Sequence, residues 1–384
     1  NLRTKSVHTD PYAEINGAYG SFNIFKTNIQ VGSGLLNDHF SFDARLSKLQ
    51  TDGYIDHSSS NHESFFVSGT YYTEKTLIKA NVYRGKERTG ISWWGVPDYM
   101  LDDNRTYNPA GEYTDMEGNT QYYEDQTDNY TQTHYPLILS HEINTNLNLN
   151  FALHYTRGEG YYEQYKESDE FANYNLPDIK LGSNFLTIGT NTLSFPDSTI
   201  TNSDIIRRKW LDNHFYGFTY SLNYEKNRVN LNIGGAWNKY DGDHFGTVLW
   251  SEFGNNFVKD YEWYINNGTK TDFNVFGKVT YELWSELFLY GDVQFRNISY
   301  KMSGIDDDFK DLSQTHDYNF INPKLGLFYD INDKLNSYLS LAIANREPTR
   351  SDFKNAIGDD AAMPKQETLY DFELGGSYNT RKNH

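Results

Sequence analysis

The chain has 384 residues, of which 37% are hydrophobic and 16% aromatic, and its formal net charge is −18. Such an acidic chain is a poor partner for nucleic acid, because a phosphate backbone requires a basic surface. The chain has no cysteine, which excludes disulfides, thiolate metal sites and cysteine nucleophiles. No run of apolar residues is long enough for a transmembrane helix.

Apolar and polar residues alternate one for one in about fourteen segments along the chain. In one of them, Phe40, Phe42 and Leu46 alternate with Ser41 and Asp43. A period of two predicts strands with one apolar face and one polar face. The candidate strands cover residues 12–21, 23–33, 39–49, 64–72, 76–84, 132–143, 147–157, 213–225, 229–238, 272–283, 287–298, 318–330, 334–344 and 368–378. Strands of about ten residues can cross a bilayer when tilted.

Two kinds of connection alternate between these strands. Short turns such as 34–38 and 225–228 alternate with long segments such as 85–131, 158–207 and 239–270. In an up-and-down sheet, this order places the short turns at one rim and the long loops at the other. Short periplasmic turns and long external loops are typical of outer-membrane barrels. The predicted fold class is therefore all-β, an antiparallel up-and-down transmembrane β-barrel.

Two further sequence features bear on this prediction. Pro136 and Pro323 lie inside candidate strands, where the missing N–H predicts a strand end, a bulge or an edge. Charged residues also occur on the polar phase, and a basic residue facing the bilayer midplane would cost about 2–4 kcal/mol. These charges are therefore predicted to face a polar lumen, and they are Asp43, Arg45, Lys79, Lys278, Asp292, Arg296, Lys324, Asp371 and Glu373.

No catalytic pattern stands out in the chain. The sequence lacks a G-x-S-x-G elbow, a P-loop, an H-E-x-x-H pair and an EF-hand loop, so we expect no enzyme, no cofactor and no resident metal. The run Asp306–Asp308 could bind calcium or form a solvated turn. A solvated turn is favoured, because the alternating spacing of a calcium loop is missing.

Aromatic residues in the long connections are the first candidates for ligand binding. Trp93 and Trp94 lie among polar loop residues, where they could contact a ligand or close the mouth of the barrel. Tyr161, Tyr162 and Tyr165 follow two glycines at the end of a strand. They could line a vestibule, or they could belong to an aromatic girdle at the membrane interface.

Several segments resemble the barrel part of TonB-dependent outer-membrane receptors. Residues 2–5, Leu-Arg-Thr-Lys, resemble the end of the family's plug domain, and residues 346–353, Arg-Glu-Pro-Thr-Arg-Ser-Asp-Phe, resemble a late barrel loop. Other similar stretches are 107–109, 127–130, 153–166, 210–217 and 241–246. The likeness covers nearly the whole chain, and it adds Asp241, His244, Arg346 and Arg350 to the ligand-binding candidates.

The resemblance implies a 22-stranded barrel that encloses a plug. We expect residues 1–9 to be the tail of the plug and residues 10–384 to be a partial barrel, with about 14 of the 22 strands and the rest of the plug missing. The family implies a location in the outer membrane of a Gram-negative bacterium. The expected partners are outer-membrane lipid, the TonB complex through the missing N-terminal region, and a small-molecule ligand at the outer loops.

The expected function is active, high-affinity uptake of a scarce nutrient, with a ferric siderophore or another metal chelate as the first choice. A passive porin or channel is an alternative, because barrels with an even number of strands can close. A glycan or cobalamin importer of the same superfamily is a second alternative. A soluble β-propeller is disfavoured, since the chain shows no internal repeat of about 40–50 residues.

Overall fold

The computed structural model describes residues 8–182, 184–188, 191–195, 198–254, 259–358 and 362–379. The strands are β1 Tyr12–Gly20, β2 Ile24–Gly32, β3 Phe40–Thr51, β4 Ser60–Tyr72, β5 Thr76–Gly90, β6 Glu112–Thr114, β7 Thr120–Tyr122, β8 Thr127–His134, β9 Leu137–Asn144, β10 Leu147–Glu170, β11 Ile179–Leu181, β12 Asn184–Ile188, β13 Asn191–Phe195, β14 Ser198–Ile200, β15 Asn202–Lys226, β16 Val229–Ser251, β17 Tyr261–Trp284, β18 Leu287–Gly304, β19 Gln314–Asn332, β20 Leu335–Arg346 and β21 Glu367–Tyr378. A short helix, α1, spans Arg350–Asn355, and 3-10 turns span Asp98–Met100 and Phe171–Tyr174.

Fifteen strands form one antiparallel sheet. Strands that follow one another along the chain lie side by side in it, apart from the short strands that form small sheets of their own. Its order is β1-β2-β3-β4-β5-β8-β10-β15-β16-β17-β18-β19-β20-β21, and β9 also pairs with β5 and β10. Three small two-stranded sheets, β6–β7, β11–β14 and β12–β13, lie in the long connections. Within the described residues, the end strands β1 and β21 are not paired with each other. The predicted all-β, up-and-down partial barrel is confirmed. Residues 1–7 of the predicted plug tail lie outside the described residues, so the division at residue 9 stays a prediction.

The two faces of the sheet differ as the alternation predicts. Leu149 lies opposite Leu222, which lies opposite Ile233 on the next strand. Leu222 is 37% exposed and Ile233 is 43% exposed. We call this exposed stripe, and the matching positions on neighbouring strands, the apolar band. The alternation places all nine predicted inward charges on the other face, which we call the polar face.

The central strands are longer than the sequence predicts. Strand β10 has 24 residues and β15 has 25, whereas the predicted strands were 147–157 and 213–225. The segments 158–207 and 239–270 are therefore strand at both ends, which corrects their prediction as loops. The apolar alternation stops at Arg157, yet the backbone ladder continues, because pairing of N–H and C=O groups does not require an apolar face.

Pro136 divides one predicted strand into two. The predicted strand 132–143 is observed as β8 and β9, which occupy one position between β5 and β10. The Pro136 carbonyl still accepts a hydrogen bond from the Asn81 N–H at 3.0 Å. Pro323 lies within β19 next to Lys324, where the pairing of β19 with β20 begins. Pro136 thus marks a strand end, as predicted, whereas Pro323 lies at the end of the β19–β20 ladder while the β18–β19 ladder runs through it.

Two small cores cover the polar face near the rim that carries the long connections, which we call the loop rim. One contains Phe171, Tyr174, Ile205, Val248, Trp263 and Tyr264, and the other contains Tyr300, Met302, Leu312 and Phe353. These cores anchor the 3-10 turn of Phe171–Tyr174 and helix α1 against the strands. In the described residues, no helix has both the length and the apolar character needed to span a membrane.

Candidate functional site

An open cleft of about 520 Å³ lies on the polar face near the loop rim. It is bordered by strands β5, β8, β10, β15, β16 and β17, by the β18–β19 connection and by α1. Its lining residues are Glu87, Asp128, Tyr130, Gly160, Tyr161, Tyr162, Lys209, Trp210, Leu211, His244, Tyr264, Asp306, Asp307, Arg350 and Lys354. The cleft therefore combines aromatic rings with charges of both signs.

Strand register brings the floor of the cleft together. Gly160 lies opposite Tyr130 on β8 and Leu211 on β15, and Leu211 lies opposite His244 on β16. A Cβ atom on Gly160 would clash with the Asn129 carbonyl oxygen and would come within 2.7 Å of the Tyr130 ring. This position therefore accepts only glycine unless the backbone of β8 shifts.

One wall of the cleft is a compact cluster of ion pairs. Lys354 contacts Asp306 and lies 3.1 Å from Asp307, which also pairs with Lys209. Arg350 lies 3.7 Å from Asp306. Asp306 is only 5% exposed. The expectation of a solvated turn therefore holds for Asp308, whose side chain is 41% exposed, but not for Asp306, which is held under a helix.

The pKa values of the cluster follow from its pairing. Burial on its own would raise the pKa of Asp307, but the hydrogen bonds and charges of Lys209 and Lys354 hold it below its usual value. Burial would likewise lower the pKa of Lys354, whereas Asp306 and Asp307 raise it overall. Asp306, Asp307 and Asp308 could share a metal ion, since their nearest ligand atoms lie within 4.8 Å of one another. We assign these carboxylates to ion pairing, because lysines already occupy them.

Helix α1 is fixed in place by its first turn and by one ring. Thr349 and Asp352 form a capping box, in which each side chain accepts a hydrogen bond from the other residue's backbone N–H. Phe353 is 1% exposed and stacks on His316 with ring centres 3.9 Å apart. Just before the helix, Glu347 pairs with Lys270 and with Arg296. This anchorage presents the cationic side chains of α1 to the cleft.

The opposite wall carries aromatic and acidic side chains. The ring of Trp93 meets that of Tyr162 edge to face, with centres 5.0 Å apart. Trp93 is 55% exposed, so much of its surface is free for contact. Asp128 lies next to Tyr162 across the ladder. Burial and the neighbouring charge of Glu87 raise the pKa of Asp128.

His244 lies between the two walls. Burial, reinforced by the positive charge of Arg350, lowers the pKa of His244 to about 4. The ring is therefore neutral at pH 7. The unfolded chain would bind more protons than the folded chain between about pH 4 and pH 6.5. The stabilising contribution of His244 is complete above pH 6.5 and is lost as the pH falls towards 4.

Replacing Arg350→Gln should raise the pKa of His244, because a cation that disfavours imidazolium is removed while Asp306 stays in place. Titration of the His244 ring resonance by NMR measures this shift. The wild-type midpoint is expected near pH 4, with the variant clearly above it. A variant midpoint at or below the wild-type value would show that Arg350 does not act on His244.

The structure brings some of the predicted site residues together and separates others. Tyr162, His244 and Arg350 line the cleft, Tyr161 borders it, and Trp93 reaches it through Tyr162. The others have their contacts outside the cleft lining. Trp94 lies beside Trp93 with ring centres 6.1 Å apart, and the Tyr165 hydroxyl donates a hydrogen bond to Asp204. Asp241 forms an ion pair with Lys239 at 3.4 Å, and Arg346 forms one with Glu367 at 2.7 Å. The ring of Tyr161 packs against Trp210, with centres 4.4 Å apart.

Sequence reasoning missed most of the charged lining. Lys209, Lys354, Asp128 and Glu87 carry no distinctive spacing. Strand register brings Lys209, Asp128 and Glu87 together, and the packing of α1 adds Lys354. One signal was available for α1. Thr349 followed three residues later by Asp352 resembles a capping box, and it predicts a helix that would place Arg350 and Lys354 on one face.

No family model and no curated protein sequence matches the chain. Solved structures do match it. The siderophore receptor PiuA from Acinetobacter baumannii aligns with a TM-score of 0.67 at 13% identity, covering 99% of this chain and 56% of that one. The ferric-catecholate import receptor Fiu from E. coli K12, in its closed form, aligns with a TM-score of 0.63 at 12% identity, covering 98% of this chain and 57% of that one.

The copper transporter OprC aligns with a TM-score of 0.68 at 13% identity, covering 99% of this chain and 53% of that one. The chain thus spans between half and three fifths of the length of the structures it matches. At such low sequence identities, the likeness shows a shared fold and nothing more. The predicted resemblance to the barrel of TonB-dependent receptors is confirmed at that level.

Proposed function

We propose that the chain forms part of the barrel wall of a TonB-dependent receptor in the outer membrane of a Gram-negative bacterium. The receptor actively imports a scarce nutrient. The observation that carries this proposal is the division of the sheet into an exposed apolar band and a charged polar face. Lipid covers the band, and water or a further domain fills the polar side. The energy comes from the TonB complex, which is the partner the fold implies.

A ferric siderophore or another metal chelate is the proposed cargo. The matching structures include receptors named for a siderophore and for a ferric catecholate, and a transporter named for copper. The cleft provides what a chelate of this size needs, namely aromatic surface from Trp93 and Tyr162 beside the cations Arg350 and Lys354. These residues and His244 are the proposed ligand-binding set.

Uptake of radioactive iron tests the function. Cells that express the protein are given iron as ferric citrate, as a ferric catecholate or as a ferric hydroxamate. We expect saturable uptake of one chelate, and we expect its loss when TonB is deleted. Uptake that persists without TonB would favour the passive channel instead. If all three iron chelates fail while labelled cobalamin or glycan is imported in a TonB-dependent manner, the cargo proposal is wrong and the transporter proposal stands.

The same assay links uptake to the cleft. Trp93→Ala should raise the concentration for half-maximal uptake about tenfold, since exposed aromatic anchors contribute strongly to binding. Trp250→Ala is the matched control. Trp250 is also exposed, at 43%, but among the described residues it has no ring contact with the cleft lining, whereas Trp93 packs against Tyr162. Equal effects of the two substitutions would remove Trp93 from the binding site.

A further inference from the structure

Basic residues gather on the outward face of strands β3 to β5, directly beyond the apolar band. Two register rows across β2 to β5 define this patch. The first is Ile29, Leu46, Phe65 and Arg84, and the second, one step closer to the loop rim, is Thr27, Lys48, Glu63 and Lys86. The first row continues the apolar band up to its last position, which is the cation Arg84. The second row places two more cations beside it.

These two rows line an open groove of about 550 Å³. Leu46 and Ile29 form an exposed apolar floor, at 64% and 47%. Lys48 pairs with Glu63 at 3.2 Å, and both side chains are exposed. Within the described part of the chain, the side chains of Arg84 and Lys86 make no hydrogen bond or ion pair, although both backbones are paired in the sheet. The groove therefore carries uncompensated positive charge above an apolar floor.

At about this height on the other strands, the outward cations are either paired or single, as Lys301 is on β18. Arg157, the first outward residue beyond the band on β10, is neutralised by Asp212 and by Glu159 at 3.1 Å. Lys239 on β16 lies 3.4 Å from Asp241. The chain as a whole has a net charge of −18. A general basic bias thus does not account for the groove, and snorkelling of single lysines to the interface does not explain a cluster.

We propose that this groove binds the phosphate-bearing headgroup of a lipid in the external leaflet, with an acyl chain on the floor of Leu46 and Ile29. This inference rests on the membrane placement given under the proposed function. Arg84 is suited to bidentate contact with phosphate oxygens, and Lys86 and Lys48 act as point charges beside it. Attraction of anionic headgroups amounts to about 1 kcal/mol for each nearby basic residue.

Lipid retention tests the proposal. The protein is reconstituted in nanodiscs of phosphatidylcholine with a minor fraction of phosphatidic acid. The protein is then released from the nanodiscs in the mass spectrometer, and the lipids that stay bound to it are counted by native mass spectrometry. The wild type should retain phosphatidic acid in preference to phosphatidylcholine. The variant K48Q/R84Q/K86Q should lose about tenfold or more of this preference, since two uncompensated cations are removed.

Two further variants make the outcome specific. K180Q/K259Q/K365Q changes the net charge equally but at exposed lysines in the long connections, away from the groove, and it should retain phosphatidic acid like the wild type. R84K/K86R keeps the charge and should retain most of the preference. Equal retention by wild type and K48Q/R84Q/K86Q would overturn the lipid site and leave the transporter proposal intact. Failure of the wild type to insert into nanodiscs would overturn the membrane placement itself.

Discussion

Replacing Leu222→Arg is expected to block assembly of the barrel in a membrane. Leu222 lies in the apolar band between Leu149 and Ile233, so the new cation would face hydrocarbon. A basic residue at the bilayer midplane costs about 2–4 kcal/mol. The folded fraction in lipid vesicles, measured by the heat-sensitive migration of the barrel in a gel, should fall strongly.

The neighbouring residue provides the control. Ser221 lies one position along the same strand, on the polar face, opposite Asn150 and Gly234. Ser221→Arg adds the same side chain but places it among polar groups, and we expect a folded fraction close to that of the wild type. If both variants assemble equally well, lipid does not cover the face of Leu222. If both fail equally, the strand is sensitive to any arginine and the assignment of faces gains no support.

Replacing Lys354→Ala is expected to release helix α1 from the cleft. Lys354 is the cation in contact with Asp306, whose side chain is only 7% exposed. Breaking a buried ion pair costs about 3–5 kcal/mol, because the remaining charge is left in a poor solvent. The lower end of that range applies, since Lys354 is 28% exposed and Arg350 stays near Asp306. Amide hydrogen exchange in Arg350–Asn355 should accelerate on the order of 100-fold.

Lys310→Ala is the matched control for this prediction. Lys310 lies 3.3 Å from Asp308, and both side chains are 41% exposed. An exposed pair of this kind contributes about 0–1 kcal/mol. Exchange in α1 should therefore change by no more than a few-fold. Unchanged exchange in Lys354→Ala would mean that Phe353, and not the ion pairs, holds the helix in place.

The alternation of residue types was enough to predict the strands and the two faces of the sheet. Leu149 and Asn150 were placed on opposite faces from their neighbours alone, and the register confirms this. Strand ends could not be predicted in the same way. Beyond Arg157 both faces carry polar and aromatic residues, so the sequence loses its period although the strand continues to Glu170.

The candidate site was only partly predictable for a related reason. Aromatic residues such as Trp93 and Tyr162 were noticed because large rings in polar segments are unusual. Lys209 and Asp307 are 98 residues apart in the chain and become partners only through the order of the strands. The run of aspartates was noticed, but the burial of Asp306 was not predicted, because it depends on a helix that the sequence analysis did not predict.

The paired strands extend well beyond the apolar band. Tyr155 is the last outward aromatic of the band on β10, and Tyr162 in the cleft follows seven positions later. At about 3.3 Å per residue, this separation is roughly 23 Å along the strand. A captured molecule would thus rest beyond the hydrocarbon but at the height of the headgroup groove, since Glu87 of the cleft directly follows Lys86 of the groove in β5. Any change that its arrival causes would have to pass along paired backbone to reach the depth of the acyl chains.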